Sequence, residues 1–256
     1  IAAAIVSCKP FADEIVVVDG GSQDGTARVA ELLGCKVLRN PWPGYAKQRN
    51  YGSAAAAHDW IFFIDTDEVV TDRLAESIRR IKKELADPAK AYAVFRMGDF
   101  LGRWLENGEY LVRLYNRAQV RYAESLVHEK PDIPGDRVVR LKGTLLHYGF
   151  RSVQDHVRRF NVYTDLEAEA ARLAGRRFRW GRLLLRPPAR FLHKYLLQGL
   201  FRKGVPGFAV AVFWAQYEFL VSLKQYERER AESRSKAPEG VPAEESVKEG
   251  KAYAIR

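Results

Sequence analysis

Blocks of apolar and polar positions alternate along the first half of the chain. Ile15 to Asp19 (IVVVD) is a β-branched run ending on a carboxylate, the length and composition of one buried strand. GGSQDGT follows as a turn, and Thr26 stands where it would cap a helix over Ala27 to Leu33. Lys36 to Arg39 predicts a short strand, Ala46 to Ala57 a helix, and Trp60 to Ile64 a second buried strand. Leu74, Ile78, Ile81 and Leu85 recur at helical spacing and predict an amphipathic helix. Tyr92 to Arg96 and Tyr110 to Tyr115 predict two further strands. Strands alternating with helices predict an α/β domain with a parallel sheet, whose ligands bind beyond the carboxyl ends of the strands. Asp19 and Asp65 both fall at such ends.

Composition narrows the setting. The 256 residues are 47% hydrophobic and 12% aromatic, enough for one ordinary domain and an appendage. A formal net charge of +10 points to an anionic partner, whether nucleic acid, membrane or substrate. Cys8 and Cys35 make neither a disulfide framework nor a metal set, and a reducing compartment is expected. No basic region precedes the apolar opening, so no signal peptide is expected there. The charge is uneven: from Arg151 to Lys203, 13 Lys and Arg stand against 4 Asp and Glu. Ala231 to Arg256 is polar and aperiodic and reads as a flexible tail. The expected organisation is an α/β domain over 1–150, a basic and apolar helical region over 151–230, and that tail.

FFIDTDEVV (Phe62 to Val70) drives a buried strand into three carboxylates within four residues. At a strand's carboxyl end they open into a solvated crevice. Two carboxylates one residue apart can share a divalent cation, and Mg²⁺ commonly takes one or two carboxylates with waters and substrate phosphates. The competing reading is structural: Asp65 or Asp67 caps the helix beginning near Asp72, or simply ends the strand.

IVVVDGGSQDGT (Ile15 to Thr26), GYAKQRNYG (Gly44 to Gly52) and DWIFFIDTDEVV (Asp59 to Val70) follow one another closely. In these segments the chain resembles the inverting family 2 glycosyltransferases, which carry the nucleotide-sugar-binding fold called GT-A. YLVRLYNRAQVRYAESLVHE (Tyr110 to Glu129), LLHYGFRSVQDHVRRFNVYTDLEAEA (Leu145 to Ala170) and RPPARFLHKYLLQGLFRKGVPGF (Arg186 to Phe208) are similar to the branch containing bacterial β-glucosyltransferases of the lipopolysaccharide inner core. The family pattern also has a first strand ahead of the position of Ala2, of the type SVVIxxxNE, which helps hold the nucleotide base and which this sequence lacks.

The resemblance implies a UDP-sugar donor, with glucose the expected sugar, and a divalent cation, Mg²⁺ or Mn²⁺. It places Asp19 against the uracil, with Gly21 and Ser22 in the turn that follows. Arg49 and Asn50 match residues near the nucleotide; the alternative for Arg49 is a solvated helix face. Asp65 matches the acid near the ribose and Asp67 the direct metal ligand. Inversion needs a base opposite the leaving group. The branch has a His-Glu pair there, here His128 and Glu129, with Glu129 the expected base. The alternatives are an ion pair for Glu129 with Arg113, Arg117 or Arg121, and a structural hydrogen bond for His128. His147 is a third candidate, placed to reach the diphosphate or the metal, although a lone histidine on an apolar strand is more often structural.

Beyond Gly149 six arginines, Arg176, Arg177, Arg179, Arg182, Arg186 and Arg190, interleave with Phe178, Trp180, Leu183 to Leu185 and Phe191. The apolar run Gly207 to Leu223 is short for a span and carries Gln216 and Glu218, so it reads as an interfacial or re-entrant helix. The expected partners are therefore a nucleotide sugar, a glycolipid or other lipid-linked acceptor, and an anionic membrane surface. The expected place is the cytoplasmic face of a bacterial inner membrane. A sugar nucleotidyltransferase is the competing enzyme class, but its Gly-rich loop opens the first strand, whereas GGSQDGT lies further on. Nucleic-acid binding rests on charge alone, without exposed-sheet aromatics to support it.

Overall fold

A computed structural model describes residues 1–85, 87–122, 131, 133–149 and 152–235. A short helix α1 (Ala2–Cys8) leads into β1 (Val16–Asp19), α2 (Thr26–Leu32), β2 (Lys36–Arg39), α3 (Tyr45–Ala55) and β3 (Trp60–Phe62). Then come β4 (Glu68–Val70), α4 (Asp72–Lys82), β5 (Ala91–Phe100), β6 (Arg103–Asn116) and β7 (Val138–His147). Three helices close the described chain: α5 (Val153–Leu173), α6 (Trp180–Leu192) and α7 (Gly204–Ser235).

The α/β class is as expected, but the sheet is mixed. β1 and β2 pair in parallel as a two-stranded unit, and five strands form a second sheet in the order β3-β6-β5-β7-β4. In that sheet only β5 and β7 run parallel; the other neighbours are antiparallel. The parallel expectation fails because β5 and β6 are joined by Leu101-Gly102 alone. Both residues have positive φ, 50° and 73°, the tight hairpin geometry that returns the chain antiparallel with no room for a crossover helix. The two strands also run longer than their apolar cores suggested, since the hairpin continues as a partly exposed ribbon.

α4 lies on the larger sheet through Leu74, Ala75 and Ile78, which pack with Val94, Leu114, Leu141 and Leu145. Gly143, at φ +104°, allows β7 to pass so close to the start of α4 that a Cβ there would meet the Leu74 backbone at 2.4 Å. Thr26 does not cap α2: it is the first helical residue, and Asp24 Oδ1 accepts its N–H at 3.0 Å. Gly52 brings α3 against β1, where a Cβ would lie 2.9 Å from Val18.

The helical region is built around α7, 32 residues long. On one side it is tied to α5 by Tyr217 to Glu167 (2.6 Å) and Lys224 to Asp165 (2.9 Å), and by an Arg228–Glu169 pair. On another side Glu218 accepts from Arg190 and pairs with Arg186 of α6. The apolar run is thus part of a longer helix than its own length implied. With the turn before it, that helix is long and apolar enough by length and composition to cross a membrane. It also carries part of the expected tail: residues 231–235 are helical, and 236–256 lie outside the described residues.

Candidate functional site

β3 delivers the acidic turn. Phe63 N–H still pairs with Arg113 O of β6 (2.8 Å), and the chain then turns through Asp65, Thr66 and Asp67 into β4. Glu68 closes the turn twice: its N–H donates to Asp65 O (3.0 Å), and its carboxylate accepts the Asp65 N–H (2.9 Å). Tyr148 N–H donates to Asp67 O (2.9 Å), tying the turn to the end of β7.

The two aspartates have different surroundings. Asp65 Oδ2 accepts from Arg113 at 3.1 Å, and Asp65 Oδ1 lies 3.9 Å from Arg49. Arg113 is buried and also pairs with Glu68, which is fully buried. Burial pushes the Glu68 carboxyl up despite Arg113 and Arg96; the two carboxylates around Arg113 overcome its own burial and keep it charged. Asp67 instead faces His147, Oδ2 to Nε2 at 3.6 Å. Its burial is outweighed by His147 and, more distantly, Arg159, so its carboxyl sits below the ordinary range. Gly149 keeps this space open, because a Cβ there would fall 2.4 Å from the His147 ring.

The other expected residues line up around the same crevice with more structural roles. Asp19, buried at the end of β1, accepts the Ser22 N–H at 3.2 Å. Ser22 and the amide of Gly21 hold its carboxyl below its usual range. Gly21 takes φ +104°, the left-handed turn conformation, with open space around it. Arg49 is not on a solvated face: its guanidinium lies over Phe63 (4.6 Å) and Tyr122 (5.0 Å) beside Asp65. Asn50 pairs with the Tyr122 backbone through both amide atoms, at 3.0 and 3.1 Å. His128 and Glu129 lie outside the described residues, but the flanking Tyr122 and Pro131 bridge to each other beside the crevice.

That crevice, about 1740 Å³, runs from the inner faces of β1 and β3 past Asp65 and Asp67 to Arg159 and Tyr163 of α5 and on to Lys194 and Gln198. It is larger than a typical single-ligand pocket, with a mixed polar and apolar lining. Among the described residues no three His, Cys, Asp or Glu side chains gather as a closed cation site. Asp67 and His147 are close enough that they would serve together as two ligands of a divalent cation. Glu68, Arg113 and the Asp67–His147 approach were not picked out as a set from the sequence. Glu68 was visible there as the third acid of DTDE, but its partner sits on a distant strand.

The sequence profile of glycosyl transferase family 2 matches residues 1–141, and the chain belongs to that family. It is therefore a glycosyltransferase with a GT-A-type α/β architecture. Among its relatives, the lipopolysaccharide core biosynthesis glycosyltransferase LpsC of Rhizobium meliloti is 32% identical over 234 residues, 86% of this chain and 85% of the relative. An uncharacterized glycosyltransferase of Rickettsia typhi is 31% identical over 235 residues, 86% of this chain and 80% of the relative. Among solved structures, Staphylococcus aureus TarS 1–349 in complex with UDP-GlcNAc superposes with TM-score 0.44 at 14% identity, over 90% of this chain and 88% of that one.

Proposed function

We propose that the enzyme transfers a sugar, glucose by preference, from a UDP-sugar to a lipid-linked cell-envelope glycan of the lipopolysaccharide-core type, with inversion and with a divalent cation. The observation that carries this reading is the division of labour in the DTD turn. Asp65 is neutralised by Arg113 and Arg49, whereas Asp67 stands apart from them beside His147. Asp67 and His147 would hold the cation, Mg²⁺ or Mn²⁺, and Asp65 would meet the ribose. When bound, the cation offsets the charge that develops on the departing diphosphate. The chain's own residues position the donor: Asp19, Gly21 and Ser22 at the end of β1, and Arg49 at the crevice wall. Glu129 takes the acceptor hydroxyl proton, with His128 beside it; the pairing of Tyr122 with Pro131 at the crevice supports a base from this segment.

The relation to an enzyme named for lipopolysaccharide core biosynthesis supports the acceptor class. An acceptor of that kind is lipid-anchored, and UDP-sugars are made in the cytoplasm. The proposed location is therefore peripheral, on the cytoplasmic face of the inner membrane. The deciding experiment is a screen of UDP-sugars for hydrolysis and transfer, with Mg²⁺ or Mn²⁺ and with EDTA. Turnover unchanged by EDTA removes the cation from the reading. Turnover with no UDP-sugar at all removes the donor.

A further inference from the structure

The outer face of the α6–α7 pair reverses the usual order of a water-facing helix pair. Three charged groups of α7 turn inward: Glu218 meets Arg186 and Arg190 of α6, while Lys224 and Arg228 meet Asp165 and Glu169 of α5. The large apolar groups turn outward. On α6, Leu184, Leu185 and Leu192 share one stripe and are 51% to 69% exposed. On α7, Val205, Phe208, Val212, Phe219 and Leu223 recur at helical spacing along a second exposed stripe. Glu218 ties α6 to α7 through Arg186 and Arg190 and leaves both stripes exposed. The connection between them adds Leu197, at 82% exposure, and Phe201. Large apolar side chains exposed along both helices and their connection mark a docking face rather than a solvated one.

We propose that this face seats the enzyme on an anionic lipid surface, with the leucines of α6 and of the α6–α7 connection entering the headgroup boundary. Charge chooses lipid over protein as the occupant. Arg176, Arg177 and Arg179 are exposed just ahead of α6, next to Trp180, and Arg202 is exposed in the connection. Burial first, and then the nearby Arg186, Arg176 and Arg179, lower the Arg182 pKa below its usual value. A second copy of the chain would instead bring one arginine cluster against another. Basic residues and Trp bordering a Leu and Phe face form the pattern of an interfacial helix. The short helical turn His193–Leu197 links this face to the site. Leu196 and Leu197 are exposed on it, while Lys194 and the following Gln198 line the crevice. A docked enzyme would thus have its crevice beside the surface that carries a lipid-linked acceptor.

The inference rests on the peripheral-membrane reading and goes further by naming the face. The full chain is sedimented with vesicles of equal parts phosphatidylglycerol and phosphatidylcholine, and with phosphatidylcholine alone, at low and high salt. Three proteins are compared: wild type, Leu185→Asp/Leu197→Asp, and Arg176→Gln/Arg177→Gln/Arg179→Gln. Wild type is expected to bind the anionic vesicles, and less so in high salt. The arginine variant is expected to lose roughly 10²-fold in affinity. The leucine variant is expected to lose at least about as much, with UDP-sugar hydrolysis and circular dichroism unchanged. Wild type remaining in the supernatant overturns the peripheral reading itself. Wild type and leucine variant binding alike leaves that reading standing and overturns the assignment to this face. Concentration-dependent dimers that disappear in the leucine variant, without vesicle binding, assign the face to a second copy instead.

Discussion

Asp67 and His147 approach to 3.6 Å because β4 and β7 pair in a register that sets Glu68 opposite His147. The residue entering β4 therefore lies beside the residue leaving β7. If this pair holds the cation, Asp67→Ala should lower transfer roughly 10²-fold or more at saturating metal. His147→Ala should mainly raise the metal concentration needed, by roughly 10- to 100-fold. Metal titration of transfer, with Mn²⁺ binding followed by electron paramagnetic resonance, separates the two. Equal metal dependence in His147→Ala and wild type would remove His147 from the site.

Arg113 is shared between Asp65 and the fully buried Glu68. Arg113→Ala strands the Glu68 carboxylate and should cost about 3–5 kcal/mol of folding stability, measured by denaturant unfolding. Arg113→Met with Glu68→Leu should recover much of that stability, because an apolar pair of similar volume replaces a buried ion pair. It should not recover transfer, since Asp65 loses its donor and the turn loses the carboxylate that accepts its N–H. A fully active double variant would make the pair structural only.

Glu129→Gln keeps the size of the proposed base and removes its basicity. Transfer should fall by about 10²- to 10⁴-fold while UDP-sugar affinity, measured calorimetrically, changes little. Weakened donor binding with normal turnover would instead point to an ion-pair role.

His156 is buried in α5 among Phe100, Phe160 and Phe213. Burial lowers its pKa from 6.5 to about 4, although Asp155 pulls the other way. Between these values the unfolded chain binds a proton that the folded chain does not, so stability should decrease as pH falls through that window. His156→Phe should flatten this part of the stability–pH curve, followed by thermal unfolding at constant ionic strength. An unchanged slope would show that other groups carry it.

Much of the site was legible as local pattern. The strand ending at Asp19, the glycine turn after it, the α3 helix with its closing Gly52, and the acid-rich end of β3 are all encoded within short windows. So was the resemblance that the family assignment bears out. The roles of Arg49 and Asn50 were less legible, because each is settled by a partner far along the chain: Phe63 and Asp65 for the first, the Tyr122 backbone for the second. The proposed membrane segment, Phe178 to Leu223, was also legible, as arginines interleaved with large apolar residues ahead of an apolar run. The structure adds that Arg186 and Arg190 turn to Glu218 while Leu184, Leu185 and Leu192 stay exposed.

The sequence by itself determined the class of fold, many of its elements in order (though not α1, β4 or β7) and the type of residue at the strand ends, since periodicity, turn residues and chain-local motifs act over a few positions. Only the tertiary structure decided that the sheet is mixed, that Arg113 divides itself between Asp65 and Glu68, and that Asp67 belongs with His147. Strand direction follows from how much chain lies between partners, and register from the packing of whole faces. A carboxylate's electrostatic partner follows from both. These are non-local quantities, fixed when β6 and β7 come to lie on either side of β5.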